Sequence, residues 1–324
     1  MKLSRRQFLP LAAGAAALPA MSRVTWALDY PTRPVRILVG FPAGQSADIT
    51  TRLIGQWLSE RLGQPFIVEN RPGAATNIAT EAAAHAVPDG YTLLCAAAPS
   101  AINAALYEGL KFSFIRDIAP IASLVRVPFL LLVNPSFSAQ NVPEFIAFAK
   151  ANPGKLNYAS SGIGSVNHMA GELFKVMTGV EMTHVPYKGT VPAVTDLISG
   201  QVQVMFADAS SIGYIKEGKL RALAVTTAKR LDELPNVPTV RESVPGFEVS
   251  GFLGIAAPQK IPTEIVARLN REINAGLTDT TLSTRLKTMG YTVFSGTPAD
   301  FSGFIAEETD KWSKVIRTRN IRLE

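Results

Sequence analysis

Short apolar runs alternate with amphipathic segments along the chain, and this alternation limits the possible folds more than any other feature. Val35–Val39, Phe66–Glu69 and Thr92–Ala97 have the composition of strands, while residues 49–62 and 78–86 have the periodicity of helices. A strand–helix–strand–helix–strand order predicts parallel pairing in an α/β sheet. Ligands of such sheets bind at the carboxyl ends of the strands, where the chain leads into helices.

A second α/β block follows the first. The apolar run Leu124–Val133 predicts a crossover strand into this block, and Val249–Ala256 predicts the strand that returns from it. We therefore predict two α/β lobes, joined by two crossover strands around a ligand cleft that closes by a hinge motion. Lobe 1 comprises residues 28–125 and 253–324, and lobe 2 comprises residues 126–252.

The first 27 residues have the pattern of an export signal. Arg5 and Arg6 precede the apolar stretch Leu9–Leu18, and a small-x-small pattern ends at Ala27. This order is typical of a cleavable twin-arginine signal, with an ordinary Sec signal as the alternative. The apolar stretch is too short for a membrane span, which needs roughly 20 residues. The pattern predicts a periplasmic protein.

Composition argues against nucleic-acid and metal partners. The chain has 32 Lys and Arg against 26 Asp and Glu, and four of the basic residues lie in the predicted signal. The remaining chain is nearly balanced and has no basic run with interleaved aromatic residues. The three histidines lack the spacing of a metal site, and Cys95, the only cysteine, reads as a buried apolar residue.

The stretch FPAGQSADI, residues 41–49, lies where a strand leads into a helix. Its Gly-x-Ser is half of a hydrolase nucleophile elbow, which needs Gly-x-Ser-x-Gly. Position 48 is Asp instead, and an acidic residue in the first turn complements the helix dipole. Three interpretations stay open: a helix capped by Ser46, backbone amides that bind an anion, and a nucleophilic Ser46.

A second loop of small residues follows the predicted strand that ends at Ser160. Gly162, Gly164 and Ser165 precede a helix, so backbone amides again lie at a helix N-terminus. The loop lacks the Gly-Lys-Ser/Thr of a P-loop and the third glycine of a dinucleotide fingerprint. His168, about one turn into the helix, could donate to a ligand, act as a base, or pack locally.

Two further loops follow predicted strands. Pro72-Gly73 makes a turn and Asn77 begins a helix, which fits either a ligand loop or a capped loop without a ligand. Tyr187 and Lys188 follow the strand after the second glycine-rich loop, and Asp208 ends the strand after that.

These loops resemble those of the substrate-binding proteins of tripartite tricarboxylate transporters, the Bug family. The resemblance covers essentially all of the chain after residue 27. The motifs that carry it are Phe41-Pro-Ala-Gly with Asp48, Glu69-Asn-Arg-Pro-Gly73, Pro88-Asp-Gly-Tyr-Thr92, Asn152-Pro-Gly-Lys-Leu-Asn-Tyr-Ala-Ser160, His184-Val-Pro-Tyr-Lys-Gly189 and Gly200-Gln-Val-Gln-Val-Met-Phe206.

The resemblance implies a type II periplasmic-binding fold that closes on a small carboxylate. It also implies delivery to transporter membrane subunits and no cofactor, and we expect a monomer. One carboxylate end would meet the first loop and the other the second. The ligand-binding residues expected from the loops and the resemblance are Phe41, Ala43, Gly44, Gln45, Ser46, Ala75, Thr76, Asn77, Ser100, Ser160, Ser161, Gly164, Ser165, Asn167, His168 and Asp208.

The chain departs from the family pattern at two places. The family usually has Gly-Gly where this chain has Gly44-Gln45, and Gly-Ala-Gly-Gly-Asn where it has Gly73-Ala-Ala-Thr-Asn77. A side chain adds volume and removes backbone freedom at each place. Our hypothesis is that Gln45 and Thr76 narrow the site or replace bridging waters, and so change the preferred solute.

Three functions stay open at this point. The first is a receptor for a di- or tricarboxylate, including an aromatic dicarboxylate flanked by Phe41, Ala97 and Ala98. The second is a periplasmic hydrolase that uses Ser46 or Ser165 with His168, although no orienting acid is evident. The third is a sensor subunit of the same fold that presents bound solute to a signalling partner.

Overall fold

The structure, a computed structural model, describes residues 29–107 and 109–323. The predicted export signal therefore lies outside the described residues. Residues Pro31–Glu324 form one compact unit. No helix within the described part of the chain is both long enough and apolar enough to cross a membrane.

The described residues contain one sheet of ten strands, in the order β2-β1-β3-β9-β4-β7-β5-β6, with β8 and β10 also paired to β4. Its strands are β1 Val35–Val39, β2 Phe66–Asn70, β3 Thr92–Ala97, β4 Ile118–Val133, β5 Leu156–Ser160, β6 Met182–Pro186, β7 Val204–Asp208, β8 Arg221–Val225, β9 Ser250–Pro258 and β10 Thr292–Val293.

Helices cover the connections between these strands. They are α1 Ser46–Leu62, α2 Asn77–Ala84, α3 Ala98–Leu106, α4 Phe114–Asp117, α5 Val142–Ala151, α6 Val166–Thr178, α7 Thr190–Ser199, α8 Ile212–Lys216, α9 Thr263–Thr278, α10 Thr280–Thr288 and α11 Pro298–Arg319. Short 3-10 turns lie at Ala74–Thr76, Ala209–Ser211 and Val240–Glu242.

The sheet contains two parallel sets of strands, which confirms the predicted α/β class. β1 pairs in parallel with β2 and β3, and β5 pairs in parallel with β6 and β7. Every residue of β3 and β9 is buried. Helices therefore cover both faces of these strands, which explains why they read as continuous apolar runs in the sequence.

Strands β4 and β9 join the two parallel sets. β9 lies antiparallel between β3 and β4. β4 pairs with β9 as far as Pro128 and with β7 from Phe129 onward. The predicted crossover Leu124–Val133 is thus the second half of a longer strand. Its first half contains Pro120, where the pairing register with β9 shifts, as is common for proline in a strand.

The change of partner along β4 occurs three residues after the predicted boundary between the lobes, which was placed between residues 125 and 126. The two crossover strands that the sequence predicts are therefore present as β4 and β9. The assignment of residues 28–125 and 253–324 to one lobe, and of 126–252 to the other, stays a prediction.

Helix α3 is an element that the sequence pattern did not predict. Its first turn contains Pro99, which fits a helix start because the missing amide hydrogen has no partner there. Most of its residues are buried. A helix buried on most sides has no polar face, so the amphipathic periodicity that identifies surface helices is absent.

Candidate functional site

The carboxyl ends of the two parallel sets meet at the middle of β4. Ala97, the last residue of β3, pairs with Leu253 of β9, and Leu253 pairs with Val125 of β4. Asp208, the last residue of β7, pairs with Phe129 of β4. Four residues of strand separate these two positions, or about 13 Å. The loops that follow the two sets therefore approach each other here, as expected for a cleft.

We name two groups of loops by the strands that they follow. The first edge consists of the loops after β1, β2 and β3, residues 40–46, 71–77 and 97–100. The second edge consists of the loops after β5, β6 and β7, residues 160–165, 187–190 and 208–211. Each predicted site residue lies at one of these edges or in the first turn of the helix that follows it.

Helix α1 begins without the predicted serine cap. Gln45 is the N-cap residue, its side chain makes no capping hydrogen bond, and Ser46 is already the first helical residue. The Gly44 N–H donates instead to Oδ2 of Asp48, at 2.8 Å. Asp48, which complements the helix dipole, thus also fixes the preceding loop by this hydrogen bond. Ser46 is not the N-cap of α1.

Asp48 ties the first loop to strand β2. Its carboxylate accepts from Arg52 Nε at 3.0 Å and from Asn70 Nδ2 at 2.9 Å. Asn70 also donates to the Phe41 carbonyl at 3.0 Å. Burial raises the pKa of Asp48, but the hydrogen bonds from Arg52, the Gly44 amide and Asn70 outweigh it, so the pKa lies below its usual value. Asp48 is therefore a buried, ionised clamp.

The loop between β2 and α2 contains three successive residues in the left-handed region. The φ angles are +45° at Ala74, +48° at Ala75 and +78° at Thr76. Left-handed backbone is unfavourable for residues with a Cβ atom, most of all for a β-branched residue. Ala75 and Thr76 are the positions at which the family usually has glycine. Thr76 is buried against Gly40, where an added Cβ would lie 2.6 Å from Thr76 Cβ.

Asn103 supports this strained loop from α3. Its Nδ2 donates to the Ala75 carbonyl at 2.6 Å and to Asn77 Oδ1 at 3.0 Å. Three buried polar atoms near this point have no hydrogen-bond partner among the described residues: Thr76 Oγ1, Asn77 Nδ2 and Asn103 Oδ1. Each unpaired buried group costs about 1–3 kcal/mol. Strain and unpaired groups therefore coincide in one loop of the first edge.

The loop after β5, which belongs to the second edge, is stabilised by hydrogen bonds within the loop. Ser160 Oγ donates to the Gly162 carbonyl at 3.1 Å and lies 2.6 Å from His184 Nε2. Ser165 Oγ donates to the same carbonyl at 2.6 Å and accepts from the His168 amide as the N-cap of α6. Both hydroxyl groups thus shape the loop around Gly162.

Two stacked histidines lie beneath this loop. The rings of His168 and His184 stack with centroids 4.0 Å apart, and Tyr158 stacks on His184 at 4.9 Å. The Gly164 N–H donates to His168 Nδ1 at 3.1 Å. Burial, followed by the His184 charge, lowers the pKa of His168 to about 3. Burial lowers the pKa of His184 to about 4, so both rings are neutral at pH 7.

A buried ion cluster connects the histidine stack to the last helix. Glu172 accepts from the Tyr158 hydroxyl, from Lys175 Nζ at 3.0 Å and from Arg319 Nε at 2.9 Å. Arg319, in α11, also pairs with Glu181. Burial raises the pKa of Glu172, but the donors from Tyr158 and Lys175 bring it below its usual value. The cluster thus joins α6 to α11 by buried charged side chains below the second edge.

The geometry does not support a serine hydrolase. Ser46, the first residue of α1, makes no hydrogen bond to a histidine within the part of the chain that the structure describes. Ser165 donates to a carbonyl, and the His168 Nδ1 that could have taken its proton accepts from an amide. Ser160 does lie beside a histidine, but it is fully buried and cannot meet a substrate. No serine of the predicted sites has an available histidine base.

The predicted site residues divide by exposure. Gly164 packs against helix α3, because a Cβ atom added at this glycine would lie 2.4 Å from Cδ2 of Leu106. Among the predicted residues, those that are exposed are Ala43, Gly44, Gln45, Ser46 and Ala75. Those that are buried are Thr76, Asn77, Ser100, Ser160, Gly164, Asn167 and His168. The partly buried ones are Phe41, Ser161, Ser165 and Asp208.

The loop amides are less available than the sequence suggested. The amides of Gly44, Ser161 and Gly164 already donate to side chains in the first turn of the helix that follows each loop. The first N–H groups of α1 and α6 have no acceptor within their helices, because each helix begins there. Each edge therefore offers helix N-termini with partial positive charge, among them that of α1 at the first edge and that of α6 at the second, and such an N-terminus suits a carboxylate oxygen.

Sequence reasoning missed several residues that build the site. Asn70 and His184 lie inside motifs that the sequence analysis quoted, but their roles as supports depend on residues distant in sequence. Asn103 lies in the unpredicted helix α3.

Comparisons with known proteins cover most of the chain. A family model described as "Tripartite tricarboxylate transporter family receptor" matches residues 50–321. Protein BugT of Bordetella pertussis is 36% identical over 299 residues, which are 91% of this chain and 92% of BugT.

Solved structures agree with these sequence matches. A structure of an R. palustris protein with adipate has a TM-score of 0.80 and 37% identity, over 90% of this chain and 99% of that chain. MatC from Rhodopseudomonas palustris with bound malate has a TM-score of 0.77 and 33% identity, over 89% of this chain and 100% of that chain. The similarity thus extends over most of the chain.

Proposed function

Because the chain belongs to the family of tripartite tricarboxylate transporter receptors, we propose that it binds a small dicarboxylate between the first and second edges. The bound solute would then pass to the membrane subunits of a transporter. Adipate and malate, which two solved relatives hold, are both dicarboxylates. An aromatic dicarboxylate and a tricarboxylate belong to the same proposal.

The observation that carries this proposal is the pair of helix N-termini. α1 begins at the first edge and α6 begins at the second edge. Two partial positive charges that approach across a cleft suit a ligand with an anionic group at each end. A monocarboxylate would use only one of them.

A thermal-shift titration tests this proposal. Adipate and hexanoate have six carbons each but differ by one carboxylate, so hexanoate is a matched control. We expect a dicarboxylate from a set of adipate, malate and phthalate to raise Tm in a saturable way, since a ligand at 100 times its Kd adds about 2.7 kcal/mol. Equal shifts with hexanoate, or no shift with any dicarboxylate or with citrate, would contradict the proposal.

Gln45 is the residue for which we propose a role in ligand choice. It is exposed at the N-cap of α1 and its side chain makes no capping bond, so its amide can reach a ligand. Glycine is among the preferred N-cap residues and Gln45 makes no capping bond, so Gln45→Gly should change stability by less than about 1 kcal/mol. We expect this variant to change the ratio of affinities for adipate and malate. An unchanged ratio would argue against the role.

We further propose that a twin-arginine signal in residues 1–27 exports the protein to the periplasm, where it acts as a monomer. The support is the Arg5-Arg6 pair before a short apolar stretch. Replacing both arginines by lysine should abolish export if the twin-arginine route is used. Continued export would favour the Sec route, and light scattering of the mature protein would measure its oligomeric state.

A further inference from the structure

A backbone carbonyl in the strained loop of the first edge fixes the orientation of the Asn103 side chain. Asn103, in α3, has its Nδ2 atom 2.6 Å from the Ala75 carbonyl oxygen. A carbonyl oxygen can accept a hydrogen bond but cannot donate one, so the atom that faces it must be the donor end of the amide. The Ala75 carbonyl therefore determines which way the Asn103 amide points.

The Asn103 amide in turn fixes the orientation of the Asn77 amide. Asn103 Nδ2 also donates to Asn77 Oδ1, at 3.0 Å. An NH2 group of Asn77 at this place would repel Nδ2, so Asn77 must present its acceptor to Asn103. The donor end of the Asn77 amide, Nδ2, is thus left for another partner.

The donor end of Asn77 is buried and unpaired. Asn77 is 6% exposed and Asn103 is 1% exposed. Asn77 Nδ2, Asn103 Oδ1 and the Thr76 hydroxyl have no hydrogen-bond partner within residues 29–107 and 109–323, so the two amides do not form a reciprocal pair. An unpaired buried donor is costly and calls for an enclosed acceptor. Asn77 is also the first residue of α2, where the helix dipole favours an anion.

We propose that Asn103 is a positioning residue that makes Asn77 a hydrogen-bond donor to a carboxylate oxygen of the solute, and so gives the first edge a preference for a carboxylate over a carboxamide. Asn103 itself does not touch the solute. An amide that can rotate serves a donor or an acceptor equally, whereas an amide of fixed polarity rejects a ligand NH2 group at the same place. The preference rests on the proposed function, but the orientation of the two amides concerns the ligand-free protein.

The ratio of the Kd values for adipate and its monoamide, adipamate, tests the role of Asn77. The two acids have the same length and differ in one terminal group. Asn77→Asp keeps the acceptor for Asn103 and replaces the free donor by a carboxylate oxygen, and an acidic residue suits the first turn of a helix. We expect the wild type to favour adipate roughly tenfold, and this preference should disappear or reverse in Asn77→Asp. An unchanged ratio would overturn the role.

Asn103→Asp tests the positioning itself. The substituted carboxylate has no hydrogen to donate, so the Asn77 amide should turn its donor toward residue 103 and present its acceptor to the solute. We expect the preference for adipate over adipamate to fall roughly fivefold or more.

Asn134→Asp is the matched control for this substitution. Asn134 lies in the loop after β4, outside both edges, and its Nδ2 donates to the Leu197 and Ile198 carbonyls at 3.2 and 2.7 Å. The control variant loses two donated hydrogen bonds, as Asn103→Asp does, and should keep the wild-type ratio. A general loss of stability weakens both ligands alike, so an unchanged ratio in Asn103→Asp would show that Asn103 is merely structural.

Neutron diffraction from ligand-free crystals decides the orientation without a solute or a variant. Deuterium atoms on the Asn103 atom that faces Ala75, and none on the Asn77 atom that faces Asn103, would support the proposal. An Asn77 amide in the reverse orientation, or in both, would overturn it. If no dicarboxylate binds the wild type, the proposed function fails, while the neutron structure still decides whether Asn103 orients Asn77.

Discussion

At the scale of a residue, Ala75 and Thr76 show how much backbone strain a side chain causes where the family pattern has glycine. Both occupy left-handed backbone, and Thr76 also buries an unpaired hydroxyl. A chain under selection for stability alone would keep glycine at such positions, because glycine adopts positive φ freely. The strain coincides with the first edge of the site, which is where strained residues commonly serve function.

Replacing Ala75 by glycine should stabilise the protein. Ala75 is exposed, so the change loses no packing, and it removes a backbone penalty of about 1–2 kcal/mol against about 0.5–1 kcal/mol of added chain entropy. We expect a net gain of about 0.5 kcal/mol in urea unfolding. Ala104→Gly, at an exposed position within α3, is the control and should lose about 0.5–1 kcal/mol. Equal losses at both positions would show that Ala75 is not strained.

The histidine stack makes stability depend on pH. Both pKa values are lowered, to about 3 for His168 and about 4 for His184, so the folded state resists protonation while the unfolded chain takes up protons below about pH 6.5. Stability is complete above pH 6.5 and is lost as pH falls toward 3. Between pH 6.5 and 5, where few carboxylates titrate, we expect a loss on the order of 2 kcal/mol.

Urea unfolding at pH 6.5, 5.75 and 5 measures this loss. His85→Gln, which lies outside the stack, should retain the slope of the wild type. A His168→Gln variant should show a shallower slope, since one of the two groups is gone. A wild-type stability that does not change across this range would contradict the neutral stack.

At the scale of an element, the start of α1 depends on a side chain inside the helix and not on its cap. The Asp48 carboxylate holds the preceding loop through Gly44, its own helix through Arg52 and strand β2 through Asn70. The position of the first edge relative to β1 and β2 is therefore determined by one buried anion.

Asp48→Ala should destabilise the protein by about 2–4 kcal/mol in urea unfolding, since it leaves three donors without their acceptor. Asp48→Asn keeps the volume but loses the charge, so we expect an intermediate cost. Solute affinity should fall in both variants because the amides of the first turn are displaced. A cost below about 1 kcal/mol for Asp48→Ala would refute the clamp.

At the scale of the whole molecule, the site exists because β4 changes its partner from β9 to β7 within one strand. Each parallel set alone would present a single edge, with its helix N-termini directed to solvent. The shared strand brings the two edges together, and Gly164 of the second edge lies against Leu106, the last residue of the helix α3 that follows the first edge. Closure and ligand binding should therefore be sensitive to this contact.

Gly164→Ala tests the contact, with Gly179→Ala as a matched control. Both glycines have left-handed φ angles, +76° and +70°, but an added Cβ meets Leu106 at the first and nothing within 4 Å at the second. Both variants should lose about 1–2 kcal/mol from the backbone. Only Gly164→Ala should lose a further 1 kcal/mol or more from overpacking and bind a dicarboxylate several-fold more weakly. Equal affinities of the two variants would contradict this.

Much of the fold was predictable from the sequence because it depends on local pattern. Alternating apolar and amphipathic segments predicted the α/β class and both crossover strands. The motifs predicted the family and the two groups of loops. The sequence pattern did not predict helix α3, because a helix that is buried on most sides has no polar face. It also did not predict the first half of β4, because Pro120 interrupts the pattern of a strand.

The sequence by itself determined the class, the family and the loops that border the site. Only the tertiary structure decided which side chains serve those loops: Asp48 as a clamp, Asn103 behind the strained loop, and the His168–His184 stack. The physical reason is that these contacts join segments distant in sequence. Local periodicity records which face of an element is buried, but it contains no information on what that face meets.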